Sequence, residues 1–264
     1  MDKPVFRGGT HLVPHSYRRI GPDVARRIRL VVADVDGTLT TLDNSMNDAA
    51  VEAIHGLERA GVMVGLASGR AMSRLQSLAE RARLSGPVIA ENGGIAKLTM
   101  DGQLVDLGYS RQPAREAFEK LQGLYPGVIE ETVDDQLRSV DLGIKSHGVG
   151  AEELRSHLDG VQLLDSGYML HLLQDGVSKG RTLARLLEKL GDGRLSPDNV
   201  MVFGDSTTDL SMFELFPHSV LIVNPRLSVE QRERMGEAAE YVSDMPMGEG
   251  FAEVARHIVE QRRA

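Results

Sequence analysis

Five short apolar runs, at residues 28–33, 62–67, 88–90, 200–203 and 220–223, constrain this chain more than any other feature. None alternates as a half-exposed strand would, and each reads as a strand buried on both faces. Between them, apolar residues recur at helical spacing. Ala50, Ile54 and Leu57 follow Asn47, a good N-cap, and stop at Gly61. Leu75, Leu78, Ala79 and Ala82 mark a second helix, and Leu183, Leu186, Leu187 and Leu190 a third that ends at Gly191. Further helices over 208–215, 229–237 and 251–262 fill the later connections. Strands alternating with helices predict an α/β protein, a Rossmann-like parallel sheet with right-handed crossovers. Residues 95–98 and 104–107, around Asp101-Gly102, read as an appended hairpin.

The pattern breaks after Gly108. A helix over 113–124 precedes a short strand at 128–130. An alternating strand then sets Val140, Leu142 and Ile144 on one face and Ser139, Asp141 and Lys145 on the other. A helix over 152–158 and a hairpin of 161–164 and 168–173, turning at Asp165-Ser166-Gly167, complete an α-β-β-α-β-β order. That order predicts an antiparallel sheet with two helices on one face, inserted into the parallel fold. The chain thus divides into an extension at 1–27, a discontinuous core at 28–107 and 174–264, and an α+β insert at 108–173.

Composition narrows the function classes. The 264 residues contain no cysteine, which excludes disulfides, thiolate metal sites and a cysteine nucleophile. The net charge of −8 is uneven: seven lysines and arginines against two acids in residues 1–30 leave −13 on the rest. A body that acidic repels a phosphate backbone, so no nucleic-acid partner is expected. The basic head reads as a solvated extension. No apolar run is long enough to span a bilayer and the start lacks an apolar signal core. The expectation is a cytoplasmic monomer or homodimer without a membrane partner.

The chemistry concentrates at strand ends. Asp34-Val35-Asp36-Gly37-Thr38 follows the first strand, and period-two alternation would put Asp34 and Asp36 on the same side of its carboxyl end, where open α/β sheets bind ligands. A calcium loop is excluded, because its sixth and twelfth positions would be Leu39 and Ser45. Ser68-Gly69-Arg70 ends the second strand with a hydroxyl and amides suited to an anion. Lys179 opens a helix, a poor place for a cation unless an anion lies beside it. Asp205 and Asp209, after the strand at 200–203, fall one helical turn apart on one side. Carboxylates converging on one sheet edge repel one another unless a hard divalent cation, most plausibly Mg²⁺, joins them. A carboxylate nucleophile with a metal, a lysine and a serine has the parts for phosphoryl transfer.

These four motifs, in this order, resemble those of haloacid dehalogenase-type phosphatases, and the insert resembles that superfamily's type II cap. Gly86-Pro87-Val88-Ile89-Ala90-Glu91-Asn92-Gly93-Gly94 and Gly204-Asp205-Ser206…Asp209…Met212-Phe213 are most similar to archaeal-type phosphoglycolate phosphatases, with sucrose-phosphate and mannosyl-3-phosphoglycerate phosphatases as near relatives. The resemblance implies Asp34 as nucleophile, Asp36 as general acid and base, and Ser68, Gly69, Arg70, Lys179 and Asn224 around the phosphoryl group. It implies Mg²⁺ on Asp34, Asp36, Asp205 and Asp209, and a small phosphorylated metabolite, first 2-phosphoglycolate, as substrate. Among the cap cations Arg138, Lys145, His147 and His171, Arg138 is the first candidate to grip a substrate carboxylate. A phosphomannomutase-like enzyme is the rival reading, disfavoured because no Gly-Gly-Asn-Asp run follows Asp205.

Overall fold

The computed structural model describes residues 13–167, 169–190 and 195–264. The chain enters through β1 (His15–Ser16) and α1 (Pro22–Arg27), then runs through β2 (Leu30–Ala33), α2 (Asp48–Arg59), β3 (Met63–Ala67), α3 (Met72–Ala82), β4 (Val88–Ala90) and β5 (Ile95–Lys97). The insert holds α4 (Gln112–Leu124), β6 (Ile129–Glu131), β7 (Leu142–Ser146), α5 (Ala151–Arg155), β8 (Val161–Asp165) and β9 (Leu170–Gln174). The core resumes with α6 (Lys179–Leu187), β10 (Val200–Gly204), α7 (Leu210–Leu215), β11 (His218–Val223), α8 (Val229–Ala238), β12 (Tyr241–Pro246) and α9 (Met247–Arg263). No helix among the described residues is long and apolar enough to cross a membrane.

The large sheet has the order β1-β12-β11-β10-β2-β3-β4-β5, parallel throughout except for β5, which runs antiparallel to β4. Alternation along β2 shows why the run at 28–33 had to be fully apolar. Val31 and Ala33 pack with α2, α3 and α9 on one face, whereas Leu30 and Val32 pack with α6, α7 and α8 on the other. Sequence order reverses beside β2, with β10 on one side and β3 on the other, so a crevice opens at the carboxyl ends there. The insert forms the antiparallel sheet β6-β7-β9-β8, whose Ile129, Leu142, Ile144, Val161, Leu163 and Leu172 pack against α4 and α5. Its other face turns toward the crevice.

Four expectations change. The basic head is not wholly solvated: β1 pairs with β12, and Tyr17, Ile20 and Ala25 are buried in the core. These three follow no single period because they sit on a 3₁₀ turn, a loop and α1. The hairpin at 95–107 shrinks to a single bridge, Lys97–Leu104, because β5 spends its hydrogen bonds on β4. Val140 does not join Leu142 and Ile144 but packs with Leu173 and Val177. The amides of Ser139, Val140 and Asp141 all donate to the Glu91 carboxylate, which postpones the start of β7. Finally, β12 carried too many polar residues to read as a strand. Gly191 and Tyr168 lie outside the described residues.

Candidate active site

Asp34 is the first residue beyond β2, and Asp205 the first beyond the neighbouring β10. Gly37, at φ +89°, carries the chain over Asp205, where a Cβ would meet Asp205 Oδ2 at 2.3 Å. Only glycine can make that turn at that distance. Ser178 caps α6 by accepting the Arg181 amide, which fixes Lys179 at the helix start. The Lys179 ammonium is buried, and donates to Asp34 Oδ1 at 2.6 Å, Asp209 Oδ1 at 2.7 Å and Thr208 Oγ1 at 3.2 Å. The anions that make a cation tolerable at this helix terminus are therefore two carboxylates.

Every oxygen of the acid pair beyond β10 is oriented. Asp209 Oδ2 accepts the Asp205 and Ser206 amides at 3.0 and 3.1 Å. Asp205 Oδ1 accepts from Thr38 Oγ1 at 2.8 Å, and its Oδ2 from Asn224 Nδ2 at 2.6 Å. Oxygens of Asp34, Asp205 and Asp209 lie within 4.8 Å of one another, all buried. Burial raises the Asp34 pKa well above the carboxylate range, reinforced by Asp209, Asp205 and Asp36 against the pull of Lys179. Burial and Asp209 push Asp205 up to about 7, against its hydrogen bonds from Asn224 and Thr38. Burial disfavours the Lys179 charge, but Asp209 and Asp34 outweigh it and hold its pKa above the usual lysine range. Three acids and one ammonium leave a surplus of negative charge on an all-oxygen donor set. That set fits a hard divalent cation.

Asp36 does not join this cluster. Its carboxylate accepts from Arg70 Nε at 2.8 Å and Nη2 at 2.5 Å, a bidentate pair about one-third exposed. Asp36 lies in the turn past β2 and shares the cleft with Asp34, but its carboxylate is committed to Arg70. Arg70 is correspondingly engaged with Asp36 rather than presented to an anion. Ser68 is fully buried and its Oγ accepts the Arg70 amide at 3.2 Å. Gly69 and Arg70, with Asp34, Asp36, Lys179, Asp205 and Asn224, line a cleft of about 700 Å³.

The insert supplies the opposite wall through Asp134, Arg138, Ser166, Met169 and His171. Arg138, far from a solvated strand residue, is 7% exposed. Its Nη1 donates to the Gly69 carbonyl at 2.8 Å and to Asp141 Oδ2 at 2.7 Å. Of the other cap cations, His171 lines the cleft, whereas Lys145 and His147 do not.

The family described as haloacid dehalogenase-like hydrolase matches residues 31–137 and 151–253. The chain is 34% identical over 235 residues to a phosphoglycolate phosphatase of Methanoculleus marisnigri, covering 87% of this chain and 96% of that one. A phosphoglycolate phosphatase of Methanospirillum hungatei is 31% identical, over 87% and 96%. A solved Thermoplasma acidophilum structure superimposes with a TM-score of 0.75 at 26% identity, over 88% of this chain and 98% of its own. The chain belongs to the haloacid dehalogenase-like hydrolases.

In this hydrolase, sequence reasoning missed the residues that fasten the insert to the core. Glu91 is fully buried at φ +52°, its carboxylate holding the amides of residues 139–141. Burial raises its pKa, and those three amides oppose the shift. Asn92, at φ +55°, donates to Asp141 Oδ2 at 3.3 Å. Gly93 follows at φ +107°, where a Cβ would strike the Ser178 carbonyl carbon at 2.4 Å. The Gly93-Gly94 pair behind two polar residues was the available signal of a crowded backbone. His171, named among the cap cations, instead holds Asp141, its Nδ1 2.7 Å from Asp141 Oδ2.

Proposed function

We propose that this hydrolase is a Mg²⁺-dependent phosphomonoesterase acting through an aspartyl-phosphate, with 2-phosphoglycolate as the first substrate. The observation that carries the reading is the contact of Asp34 with Lys179 inside the acidic cluster at the sheet edge. A carboxylate there is oriented, shielded from water and set beside a cation that stabilises phosphoryl oxygens. The relatives named phosphoglycolate phosphatase support the substrate.

An Asp34 oxygen attacks phosphorus, and the ester P–O bond breaks with its electron pair on the leaving oxygen. Asp36 gives that oxygen a proton. Water then attacks the phosphorus of the aspartyl-phosphate, returns a proton to Asp36, and releases phosphate and free Asp34. For this, Arg70 must release at least one Asp36 oxygen, since both accept from it. Ser68, the Gly69 amide and Lys179 act on the phosphoryl oxygens, and Asn224 orients Asp205. Asp34, Asp205 and Asp209 would hold Mg²⁺; Asp36 could add its main-chain oxygen but not its carboxylate. When bound, the cation neutralises charge on the phosphoryl oxygens and the attacking carboxylate.

A cleft of about 700 Å³ also accommodates a sugar phosphate, which is the second reading. Phosphate release measured over phosphorylated acids and sugars, with Mg²⁺ and with chelator, tests both. Mg²⁺-dependent release with phosphoglycolate preferred supports the proposal. No release from any phosphomonoester refutes it, and a sugar phosphate preferred refutes the substrate.

A further inference from the structure

The Arg138 guanidinium has one edge in use and one edge in reserve. Nη1 is pinned twice, by Asp141 Oδ2 and by the Gly69 carbonyl. Asp141 is itself completely buried and held by His171 Nδ1 at 2.7 Å and Asn92 Nδ2 at 3.3 Å. The other edge, Nε with Nη2, is the fork that meets a carboxylate with two parallel hydrogen bonds. Arg70 uses that same edge on Asp36. In Arg138, the buried Nε has no hydrogen-bond partner among the described residues. Among the described residues, Nη2 faces only the Met169 thioether, at 4.0 Å.

A buried guanidinium with an unpartnered N–H is costly unless something completes it. Met169 is a flexible side chain and its sulfur a weak acceptor, so it covers this edge without satisfying it. Arg138, Met169, His171 and Ser166 all line the same cleft as Asp34 and Lys179. The pin on Gly69 sets the guanidinium one residue from Ser68, against the loop that would hold a phosphoryl group. Arg138 and the acidic cluster thus face one cleft, so one molecule can meet both.

We propose that the Nε–Nη2 edge of Arg138 is the receptor for a substrate carboxylate, which takes the place of the Met169 thioether and selects phosphorylated acids. Asp141 and His171 are positioning residues that hold the guanidinium in plane. This rests on the proposed phosphomonoesterase activity and deepens it to a substrate class.

The experiment compares 2-phosphoglycolate with ethyl phosphate, which has the same chain length and no carboxylate. Steady-state kinetics in Mg²⁺ are measured for the wild type, Arg138→Lys, Arg138→Ala and Asp141→Asn, with thermal unfolding as the control for folding. The wild type is expected to favour phosphoglycolate on the order of ten- to a hundredfold in kcat/KM, the range of a charge-assisted pair. Arg138→Lys retains a cation for Asp141 and Gly69 but loses the fork. It is expected to lower that preference at least tenfold, chiefly through KM for phosphoglycolate, and Asp141→Asn to lower it less. A wild type that treats both esters alike overturns the proposal without any variant. So does a folded Arg138→Lys or Arg138→Ala enzyme that keeps the preference. Failure of the wild type to release phosphate from either ester instead overturns the phosphomonoesterase reading itself.

Discussion

Withdrawing the cation from the acidic cluster should make the stability of this hydrolase depend on pH in a way its surface charges cannot reproduce. At about 4.8 Å and an effective dielectric of 20, two carboxylates repel by about 3.5 kcal/mol. Without metal, burial together with this repulsion from Asp209 holds a proton on Asp205 up to about pH 7, against an ordinary value of 3.8. The folded state therefore binds a proton that the unfolded state has released, throughout the window from about 4 to 7. Stability must fall as pH rises through that window. Between pH 5 and 7 a single group of this kind removes about 2 kcal/mol. For 264 residues, at about 2.1 cal/mol/K of unfolding entropy each, that is a Tm drop of about 4 °C. Asp34, raised for the same reason, adds to the drop. His218 works the other way, because burial lowers its pKa and the unfolded state binds the extra proton below about 6.5. Comparison with Asp205→Asn cancels the His218 contribution. Mg²⁺ competes with protons for the same oxygens, so its stabilisation should grow with pH. The assay is Tm at pH 5, 6, 7 and 8, in chelator and in saturating Mg²⁺, for wild type and Asp205→Asn. A Mg²⁺-induced rise in Tm equal at pH 5 and 8, or a wild-type slope shared by Asp205→Asn, refutes the reasoning.

Asp34→Asn should abolish phosphate release while leaving the circular dichroism spectrum native, because an amide cannot act as an anionic nucleophile; wild-type turnover would exclude Asp34 from that role. Glu91→Ala should destabilise the fold by about 3 kcal/mol or more, since three amides at 139–141 lose their acceptor, two of them fully buried. Urea unfolding measures it, and a loss under about 1 kcal/mol would show that the segment finds other partners. Gly180→Ala should cost about 2 kcal/mol or more, because its Cβ would lie 2.0 Å from the Ser211 carbonyl where α6 meets α7. An unchanged unfolding midpoint would contradict that packing.

The parts of this molecule that were legible share one property: their signal is local. A strand covered on both faces must be apolar almost throughout, and β2, β3, β4, β10 and the 220–223 part of β11 are so covered that composition alone marks them. Lys179 was legible for a related reason. A cation at a helix start demands an anion, and Asp34 and Asp209 are the anions found there. Where the period of β7 was extended past its start, the reading failed. Val140 lies before β7 and turns away from Leu142, its amide held by Glu91.

What stayed illegible is the joint between the two sheets, and its chemistry explains both the silence and the function. The insert is seated on the core by Glu91 beneath residues 139–141, by Asn92 on Asp141, and by Arg138 on Gly69. These contacts span 48 to 69 residues of sequence and have no period to betray them. They are also polar, unlike the apolar packing that holds each sheet to its own helices. Beside the apolar contact of Val140 and Leu173 with Ile95 and Val177, these polar contacts are directional, so they fix one relation between the walls of the cleft instead of a range of them. Because Arg138 reaches the carbonyl between Ser68 and Arg70, that relation is set at the phosphate loop itself. Losing the Arg138 contact should therefore disturb the geometry of turnover before it disturbs the fold: Arg138→Ala should lower kcat on both esters as well as the preference between them, with Tm reduced by only a few degrees.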